Sequence, residues 1–406
     1  MDIEHNSRKK FYRFPFGAVI SGGEVRLRLA VSGAGIPSAV RLVYMEDGKG
    51  EVRKDMPYIF DVGDHCIYSV NVKMPEKAGL VWYYFELETE RGMVYYGNNS
   101  KQLGGIGEMC FNSPSNSYQI TVYNEDYKTP DWFKTGIAYQ IFVDRFCNGN
   151  ENGEFLGNRT DIIKRNWGEQ PFYKAEQFGG EYKANDFFGG NLKGVIKKLP
   201  YLKDLGISVI YLNPIFKAYS NHKYDTGDYE TIDPMFGDEE TFKELCSKAK
   251  EMGIRIILDG VFNHTGSNSR YFNKYGEYDS VGAYQSKESP YYTWFRFMDW
   301  PDVYESWWGM TTLPQIEEHS EECRKYLLSD KDAIVKRWIK NGASGWRLDV
   351  VDELPGFFVK ELRENVKKAD KDAVIIGEVW EDASNKSAYG ERREYFLGKE
   401  LDSVMN

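Results

Sequence analysis

The stretch NLKGVIKKLPYLKDLGISVIYLNP, residues 191–214, sets the pattern that decides the fold of this chain. Its first half carries apolar residues at helical spacing: Leu192, Val195, Ile196, Leu199 and Leu202. Gly206 stands where helices commonly end. The apolar run ISVIYL follows at once, which predicts a buried strand that ends at Asn213. The stretch is therefore one helix followed by one strand.

The same alternation recurs along the chain. EETFKELCSKAKEMG (239–253) precedes IRIILDG, and DKDAIVKRWIKNG (330–342) precedes GWRLDV. A fourth helix after Leu354 precedes AVIIGEVW (373–380). GIAYQIFVDRF (136–146) counts as the first strand, and LDSVM at the C-terminus opens a sixth. Helices that alternate with fully apolar strands are typical of parallel βα units.

A doubly wound sheet and a (β/α)₈ barrel of the TIM type both fit this alternation. The ends of nearly all the strands carry polar side chains: Asp144, Asn213, Asp259, Asp349 and Glu378. In a barrel these ends meet at one site. Since the chain contains no GxGxxG or P-loop motif that would serve a doubly wound sheet, the pattern favours the barrel. Only five strands and part of a sixth are present, so we expect the barrel to be incomplete at the C-terminus.

The preceding part of the chain follows a different pattern. Runs such as VRLRLAV and LVWYYFELET are β-branched and aromatic, and turn clusters such as EDGKG separate them. This pattern predicts an all-β sandwich over residues 1–124. The polar segment 123–132 is interpreted as a linker, and residues 125–406 as the partial barrel, with a loop excursion at about 265–315 after the third strand.

Charge and composition exclude several classes of partner. The net charge is −10 and the isoelectric point is about 5.3, which argues against nucleic acid and anionic membranes. No apolar segment approaches the ~20 residues that span a bilayer, and the N-terminus lacks the apolar region of a signal peptide. The five cysteines show no disulfide or metal spacing. We therefore expect a cytoplasmic protein with reduced thiols.

Two carboxylates end successive apolar strands. Asp349 follows GWRL, and Glu378 follows VIIG. Such a pair suits glycoside hydrolysis, in which one carboxyl attacks or stabilises the anomeric carbon and the other protonates the leaving oxygen. Arg347 lies on the same strand face as Asp349, so we expect it to lower the pKa of that carboxyl. Glu378 has no obvious partner, which would keep its pKa high enough for an acid. A purely structural Arg–Asp pair explains the spacing equally well.

Six segments in order carry a resemblance to a known family. They are YQIFVDRFCNGN (139–150), NPIFKAYSNHKYDTGDY (213–229), DGVFNH (259–264), WWGMTTLP (307–314), GWRLDVVDE (345–353) and GEVW (377–380). With them the chain resembles the α-amylase superfamily, in particular its neopullulanase and cyclomaltodextrinase branch with an N-terminal β-domain. The resemblance implies retaining hydrolysis of α-1,4, and optionally α-1,6, glucosidic bonds in maltodextrin, cyclodextrin, pullulan or starch fragments. A transglycosylase on the same substrates and a non-catalytic, amylase-like binding protein are the alternatives.

The resemblance also implies roles for individual residues. Asp349 matches the nucleophile, Glu378 the general acid/base, and Arg347 the residue that orients the nucleophile. The predicted sugar contacts are His222, Tyr224, His264 and Trp380. Asp259 and Asn263 are expected to support the site more than they touch sugar.

Further expectations follow from the same resemblance. A calcium ion would be bound by Asn148, Asn150, Glu154, the Gly189 carbonyl and Asn191. The family's third catalytic acid would lie beyond residue 406, so residues 1–406 alone would be poorly active. The starch-binding-like N-terminal domain would serve a homodimer.

Overall fold

The computed structural model describes residues 1–114 and 116–405, and the chain divides into two compact units. The first unit is Met1–Lys128 with two later segments, Ser384–Lys386 and Glu394–Lys399. The second begins at Thr129 and contains most of the remaining chain.

Among the residues that the structure describes, the regular elements of the first unit are all strands. They are β1 (Asp2–Glu4), β2 (Arg13–Phe14), β3 (Val19–Ile20), β4 (Glu24–Ser32), β5 (Ala39–Glu46), β6 (Val52–Asp55), β7 (Tyr58–Val62), β8 (His65–Lys73), β9 (Gly79–Thr89), β10 (Gly92–Gly97), β11 (Glu108–Cys110) and β12 (Tyr118–Tyr123). One sheet has five strands around β4 and β8, and the other has seven around β9.

The core of this unit lies between the two sheets. Alternate residues of β4, such as Leu27 and Leu29, are buried, because successive side chains of a strand point to opposite faces. They belong to the same apolar cluster as Tyr83, Phe85 and Leu87 of β9 in the other sheet. The prediction of an N-terminal all-β sandwich is confirmed.

The second unit alternates strands and helices. Its helices are α1 (Asp131–Lys134), α2 (Leu192–Asp204), α3 (Glu239–Glu251), α4 (Glu321–Arg324), α5 (Ile334–Lys340) and α6 (Gly356–Ala369). Its strands are β13 (Ala138–Ile141), β14 (Ile163–Lys164), β15 (Asp186–Phe187), β16 (Val209–Leu212), β17 (Phe216–Ala218), β18 (Thr226–Ile232), β19 (Arg255–Gly260), β20 (Phe297–Asp299), β21 (Val303–Tyr304), β22 (Gly345–Leu348), β23 (Val374–Glu378), β24 (Ser387–Ala388), β25 (Glu391–Arg392) and β26 (Ser403–Met405).

The order of the strands distinguishes the two candidate folds. Six strands pair in parallel in the order β13, β16, β19, β22, β23 and β26, which is also their order along the chain. A doubly wound sheet reverses its strand order at a switch point, whereas a barrel does not. The sheet is therefore the first part of a barrel, as predicted.

The glycines expected at the helix ends have the predicted conformation. Gly206, Gly253 and Gly342 follow α2, α3 and α5 with φ values of +85°, +74° and +115°. A left-handed residue at this position ends a helix, and glycine adopts it without a Cβ clash. The next strand then begins within a few residues of each helix. Since these strands are parallel, their C-terminal ends all lie at one edge of the sheet.

The interior of the barrel is filled by alternate strand residues. Val209, Tyr211, Ile257, Val374 and Ile376 form one apolar cluster there. Asp259 lies two residues after Ile257 on β19, so its side chain also points inward. Arg347 of β22 is paired directly with Asp259 and therefore points inward as well. In the described part of the chain, no helix combines the length and the apolar character that crossing a membrane requires.

Candidate active site

The Arg347 guanidinium is the centre of the site. Its Nη1 lies 3.0 and 3.1 Å from the two carboxylate oxygens of Asp259 and 2.8 Å from Oδ1 of Asp349. Its Nη2 lies 2.8 Å from Oε1 of Glu378. The arginine is 4% exposed and Asp349 is 7% exposed. One buried cation therefore holds three carboxylates that come from three neighbouring strand ends.

This arrangement corrects two expectations. Burial and the nearby charges of Asp259 and Glu378 raise the pKa of Asp349, although Arg347 opposes the rise. The predicted lowering of that pKa is therefore wrong, because burial of the carboxyl and the two neighbouring anions outweigh the one cation. The expectation that Glu378 lacks a partner is also wrong, since it is paired with Arg347. Spacing along one strand showed only the Arg347–Asp349 pair.

The residue after the predicted nucleophile has a strained backbone. Val350 has φ +40° and ψ +49°, the left-handed region that a β-branched residue rarely adopts. Its backbone N–H donates to Oε2 of Glu378 at 3.0 Å. Strain of this kind persists where the surroundings impose it, commonly at active sites. Here the unusual turn links the two catalytic candidates directly.

Asp259 is enclosed by hydrogen-bond donors. The Tyr224 hydroxyl donates to its Oδ2 at 3.0 Å, and the Tyr211 hydroxyl donates to the same oxygen. With Arg347, the carboxylate has three side-chain partners and is 1% exposed. Asp259 thus fixes the ring of Tyr224, the predicted sugar platform.

His264 is buried and uncharged. Burial lowers its pKa to about 4. Its Nε2 lies 3.2 Å from the Tyr224 carbonyl oxygen, which can only accept, so Nε2 carries the proton. Its Nδ1 then accepts from Nδ2 of Asn263 at 3.3 Å. Both ring nitrogens are thus bonded within the protein, and the ring stacks on Trp307 at 5.2 Å.

Several of the predicted site residues line a cleft of about 830 Å³. The predicted residues that line it are His222, Tyr224, His264, Arg347, Asp349, Glu378 and Trp380. The backbone N–H of Tyr224 donates to Nδ1 of His222 at 3.2 Å, and burial lowers the pKa of that histidine. A cleft of this size, with aromatic walls and a few charged groups, suits a small organic ligand such as an oligosaccharide.

Trp380, which lines the cleft, contacts a second exposed tryptophan, Trp308. Trp308 and Trp380 are 63% and 53% exposed, and their rings meet edge to face at 5.6 Å. Nε1 of Trp308 donates to Glu353 at 2.8 Å, which holds this ring in place. The sequence gives no separate reason to single out Trp308, because its segment WWGMTTLP contributes only to the resemblance.

Comparison with known proteins gives the family. The family model of the alpha amylase catalytic domain matches residues 140–406. The chain belongs to the alpha-amylase family. It is 39% identical to an amylopullulanase from Thermoanaerobacterium saccharolyticum over the whole chain and 33% of that protein. It is 40% identical to a cyclomaltodextrinase from Thermoanaerobacter pseudethanolicus over 68% of the chain and 43% of that protein.

A solved structure is similar to the chain along its whole length. The type III pullulan hydrolase from Thermococcus kodakarensis superposes with a TM-score of 0.60 and 29% identity, over 100% of this chain and 64% of that one. The chain thus spans about a third of the amylopullulanase and less than two thirds of the pullulan hydrolase.

Two of the strand-end residues do not join this alpha-amylase site. The carboxylate of Asp144 accepts from the backbone N–H groups of Phe188 and Gly189 at 3.0 Å each. The Asn213 side chain accepts from Gln140 at 2.8 Å. The prediction that all five polar strand ends converge is therefore wrong for these two. Asp144 binds backbone N–H groups instead, and Asn213 binds a side chain of the neighbouring strand β13.

A buried ion pair supports the loop that carries His222 and Tyr224. Lys223 lies between them with φ +65° and is 0% exposed. Its Nζ lies 2.7 Å from Oδ2 of Asp233 and 3.0 Å from the Ala218 carbonyl. Lys223 points into the protein while its two neighbours face the cleft. Sequence reasoning missed this residue, since a lysine in a polar loop is ordinarily solvated.

In the segments predicted to bind calcium, the amide oxygens of Asn148 and Asn191 already accept hydrogen bonds from the protein. Oδ1 of Asn191 accepts from the backbone N–H groups of Gly149 at 3.1 Å and Gly194 at 2.8 Å. Oδ1 of Asn148 accepts from the backbone of Asn150 at 2.8 Å and from Asn191 at 3.2 Å. Both amide oxygens therefore use their two lone pairs, which fits a calcium ligand poorly. Calcium binding here stays a prediction of the resemblance.

Because these oxygens are already bonded, we expect calcium chloride to change the midpoint of thermal unfolding by less than about 1 °C relative to EDTA. Differential scanning calorimetry of the full-length protein measures this. A larger rise that Glu154→Gln abolishes would instead support the calcium site, because Glu154 supplies the one carboxylate among the five predicted ligands.

Replacement of Lys223 should expose the cost of an unpaired buried carboxylate. Lys223→Met leaves Asp233, which is 2% exposed, without its cation, and we expect the free energy of unfolding to fall by about 3–5 kcal/mol. Urea titration measures the loss, and Lys223→Met with Asp233→Asn should recover part of it. Lys243→Met, which breaks a surface pair with Glu239 and Glu240, should cost at most about 1 kcal/mol. Equal losses in the two lysine variants would contradict the role of Lys223.

Proposed function

We propose that the protein is a retaining glycoside hydrolase that cleaves α-1,4 glucosidic bonds of α-glucan oligosaccharides, with α-1,6 bonds as further substrates. The observation that carries this proposal is that Asp349 and Glu378 are bound to two nitrogens of one buried guanidinium inside an aromatic cleft. A shared guanidinium brings two carboxyls near each other, and a retaining enzyme needs a separation of only about 5–5.5 Å.

Asp349 is proposed as the nucleophile. One of its carboxylate oxygens attacks the anomeric carbon of the sugar, and the bond between that carbon and the leaving oxygen breaks as the glycosyl ester forms. Oδ1 is bonded to Arg347, which orients the carboxylate. Water then attacks the anomeric carbon of the ester and regenerates the free carboxylate.

Glu378 is proposed as the general acid and then the general base. It protonates the leaving oxygen in the first step and takes a proton from water in the second. In this structure Glu378 is paired with Arg347 and accepts from Val350 N–H. A proton donor cannot at the same time be the anion of an ion pair. We therefore expect substrate to separate Glu378 from Arg347 as the acid takes up its proton.

The cleft supports the substrate class. Sugar rings have apolar faces that stack on aromatic side chains, and Tyr224, Trp307 and Trp380 line the cleft with neutral His264 among them. The relatives named amylopullulanase, cyclomaltodextrinase and maltogenic alpha-amylase point to the same class. Retention of both carboxylates with Arg347 favours catalysis over the non-catalytic alternative.

The catalytic assignments predict the loss of turnover on isosteric replacement. We expect Asp349→Asn to abolish hydrolysis of maltooligosaccharides, and Glu378→Gln to lower kcat about 10²–10⁴-fold. Reducing-sugar release by the full-length protein measures both. Asp204→Asn and Glu251→Gln are matched controls on exposed helix positions and should retain activity. Unchanged turnover in Asp349→Asn would remove the nucleophile assignment.

The stereochemistry and size of the products separate the remaining alternatives. A retaining mechanism should release the α-anomer first, as seen by proton NMR before mutarotation. With maltotriose as substrate, a hydrolase gives only shorter sugars, whereas a transglycosylase also gives longer ones. Early release of the β-anomer would contradict the proposed double displacement.

Other implications of the resemblance stay predictions. They are the third catalytic acid beyond residue 406, the low activity of residues 1–406 alone, and a homodimer through the starch-binding-like N-terminal domain.

A further inference from the structure

Tyr211 lies beneath the site and contacts three of its residues. It is on β16, is 6% exposed, and faces the barrel interior. Its hydroxyl donates to Oδ2 of Asp259 and lies 3.3 Å from the Tyr224 hydroxyl. Its ring centre lies 5.6 Å from Cζ of Arg347, within the range of a cation–π contact. Tyr211 does not line the cleft, so its effect on a substrate must pass through other residues.

Asp259 is the residue through which Tyr211 can act. The charged and titratable groups around it come from every neighbouring element: Tyr211 on β16, Tyr224 in the loop before β18, and Arg347 and Asp349 at β22. Asp259 does not line the cleft either. Its carboxylate binds Arg347 on one side and the Tyr224 hydroxyl on the other. It thereby links the cation that orients the nucleophile to the aromatic platform.

We propose that Tyr211 is a positioning residue whose hydroxyl keeps Asp259 ionised and aligned, so that Asp259 holds Arg347 and Tyr224 in their working positions. This inference rests on the proposed glycosidase function of the same site. The carboxylate lies deep in the barrel, where an anion is costly unless donors surround it. Tyr211 supplies one of three such side-chain donors, and it does so from the strand on the far side of Asp259 from Arg347.

The direction of the pH effect follows from this geometry. Burial raises the pKa of the Tyr211 phenol, so the hydroxyl remains a donor throughout the working range. Burial also raises the pKa of Asp259, while Arg347 and the Tyr211 hydroxyl act against that rise. Removal of the hydroxyl therefore raises the pKa of Asp259 further, and Asp259 takes up a proton at a higher pH. A protonated Asp259 no longer offers an anionic acceptor to Arg347 and the Tyr224 hydroxyl, so both lose their alignment and activity should be lost earlier as the pH falls.

Tyr211→Phe tests the proposal because it removes one oxygen and preserves the ring. In the full-length protein we expect the acid limb of the kcat/KM profile on maltotriose to move to higher pH. At neutral pH we expect kcat/KM to fall about tenfold, the size expected for one lost hydrogen bond to a charged group. Tyr201→Phe, the same change at an exposed tyrosine on α2, should leave both the profile and the rate unchanged. A Tyr211→Phe profile that is lower at every pH without a shift would overturn the proposal, because it would indicate a general loss of packing.

A double-mutant cycle identifies the intermediary. If Tyr211 acts through Asp259, then Tyr211→Phe should change kcat/KM about tenfold in the native background and less than about twofold in an Asp259→Asn background. Equal effects in both backgrounds would overturn the proposal. The native protein is the reference for function: absence of maltotriose turnover would remove the proposed function itself, whereas turnover with an unshifted Tyr211→Phe profile would remove only this inference.

Discussion

The structure of the site depends on one buried guanidinium shared by three carboxylates. Arg347 is bonded to Asp259, Asp349 and Glu378, and each carboxylate ends or follows a different strand of the sheet. Burial of charges is costly and is offset only by close pairing and further hydrogen bonds. The pKa of Asp349 rises because the carboxyl is buried and because the like charges of Asp259 and Glu378 lie near it, and the single cation Arg347 opposes this rise only in part.

The surrounding residues also donate hydrogen bonds to the carboxylates that are bound to Arg347. Tyr211 and Tyr224 donate to Asp259, and the Val350 N–H donates to Glu378. Two of these donors also shape the site, because Tyr224 forms part of the cleft wall and Val350 sets the turn after Asp349. Buried polar networks of this kind are stable only when every member is satisfied. Replacement of one residue of the network should therefore alter the positions of its neighbours, even when the replaced residue does not contact the substrate.

The loop that carries His222 and Tyr224 is likewise held by a buried charge with close partners. Lys223 and Asp233 form a buried pair, and two aromatic rings, Phe187 and Phe236, flank the ammonium group at 5.0 and 5.3 Å. Since Lys223 points inward, His222 and Tyr224 on either side of it are turned toward the cleft. Two buried cations thus hold the site: Arg347 binds its carboxylates, and Lys223 anchors the loop that carries His222 and Tyr224.

Much of this protein could be predicted from its sequence. The βα alternation, the glycines that end the helices and the all-β character of the N-terminal part are local patterns, since each depends on residues within one element. The candidates Asp349, Glu378 and Arg347 were visible because charges that end apolar strands are rare. The tertiary structure decided which strand ends meet, since Asp259 joins the site whereas Asp144 and Asn213 turn to other partners. It also revealed Tyr211 and Lys223, whose roles depend on residues that are distant in sequence. Periodicity determines which face a side chain occupies, but only the order and register of the strands determine what lies opposite that face, and pKa values depend on those neighbours.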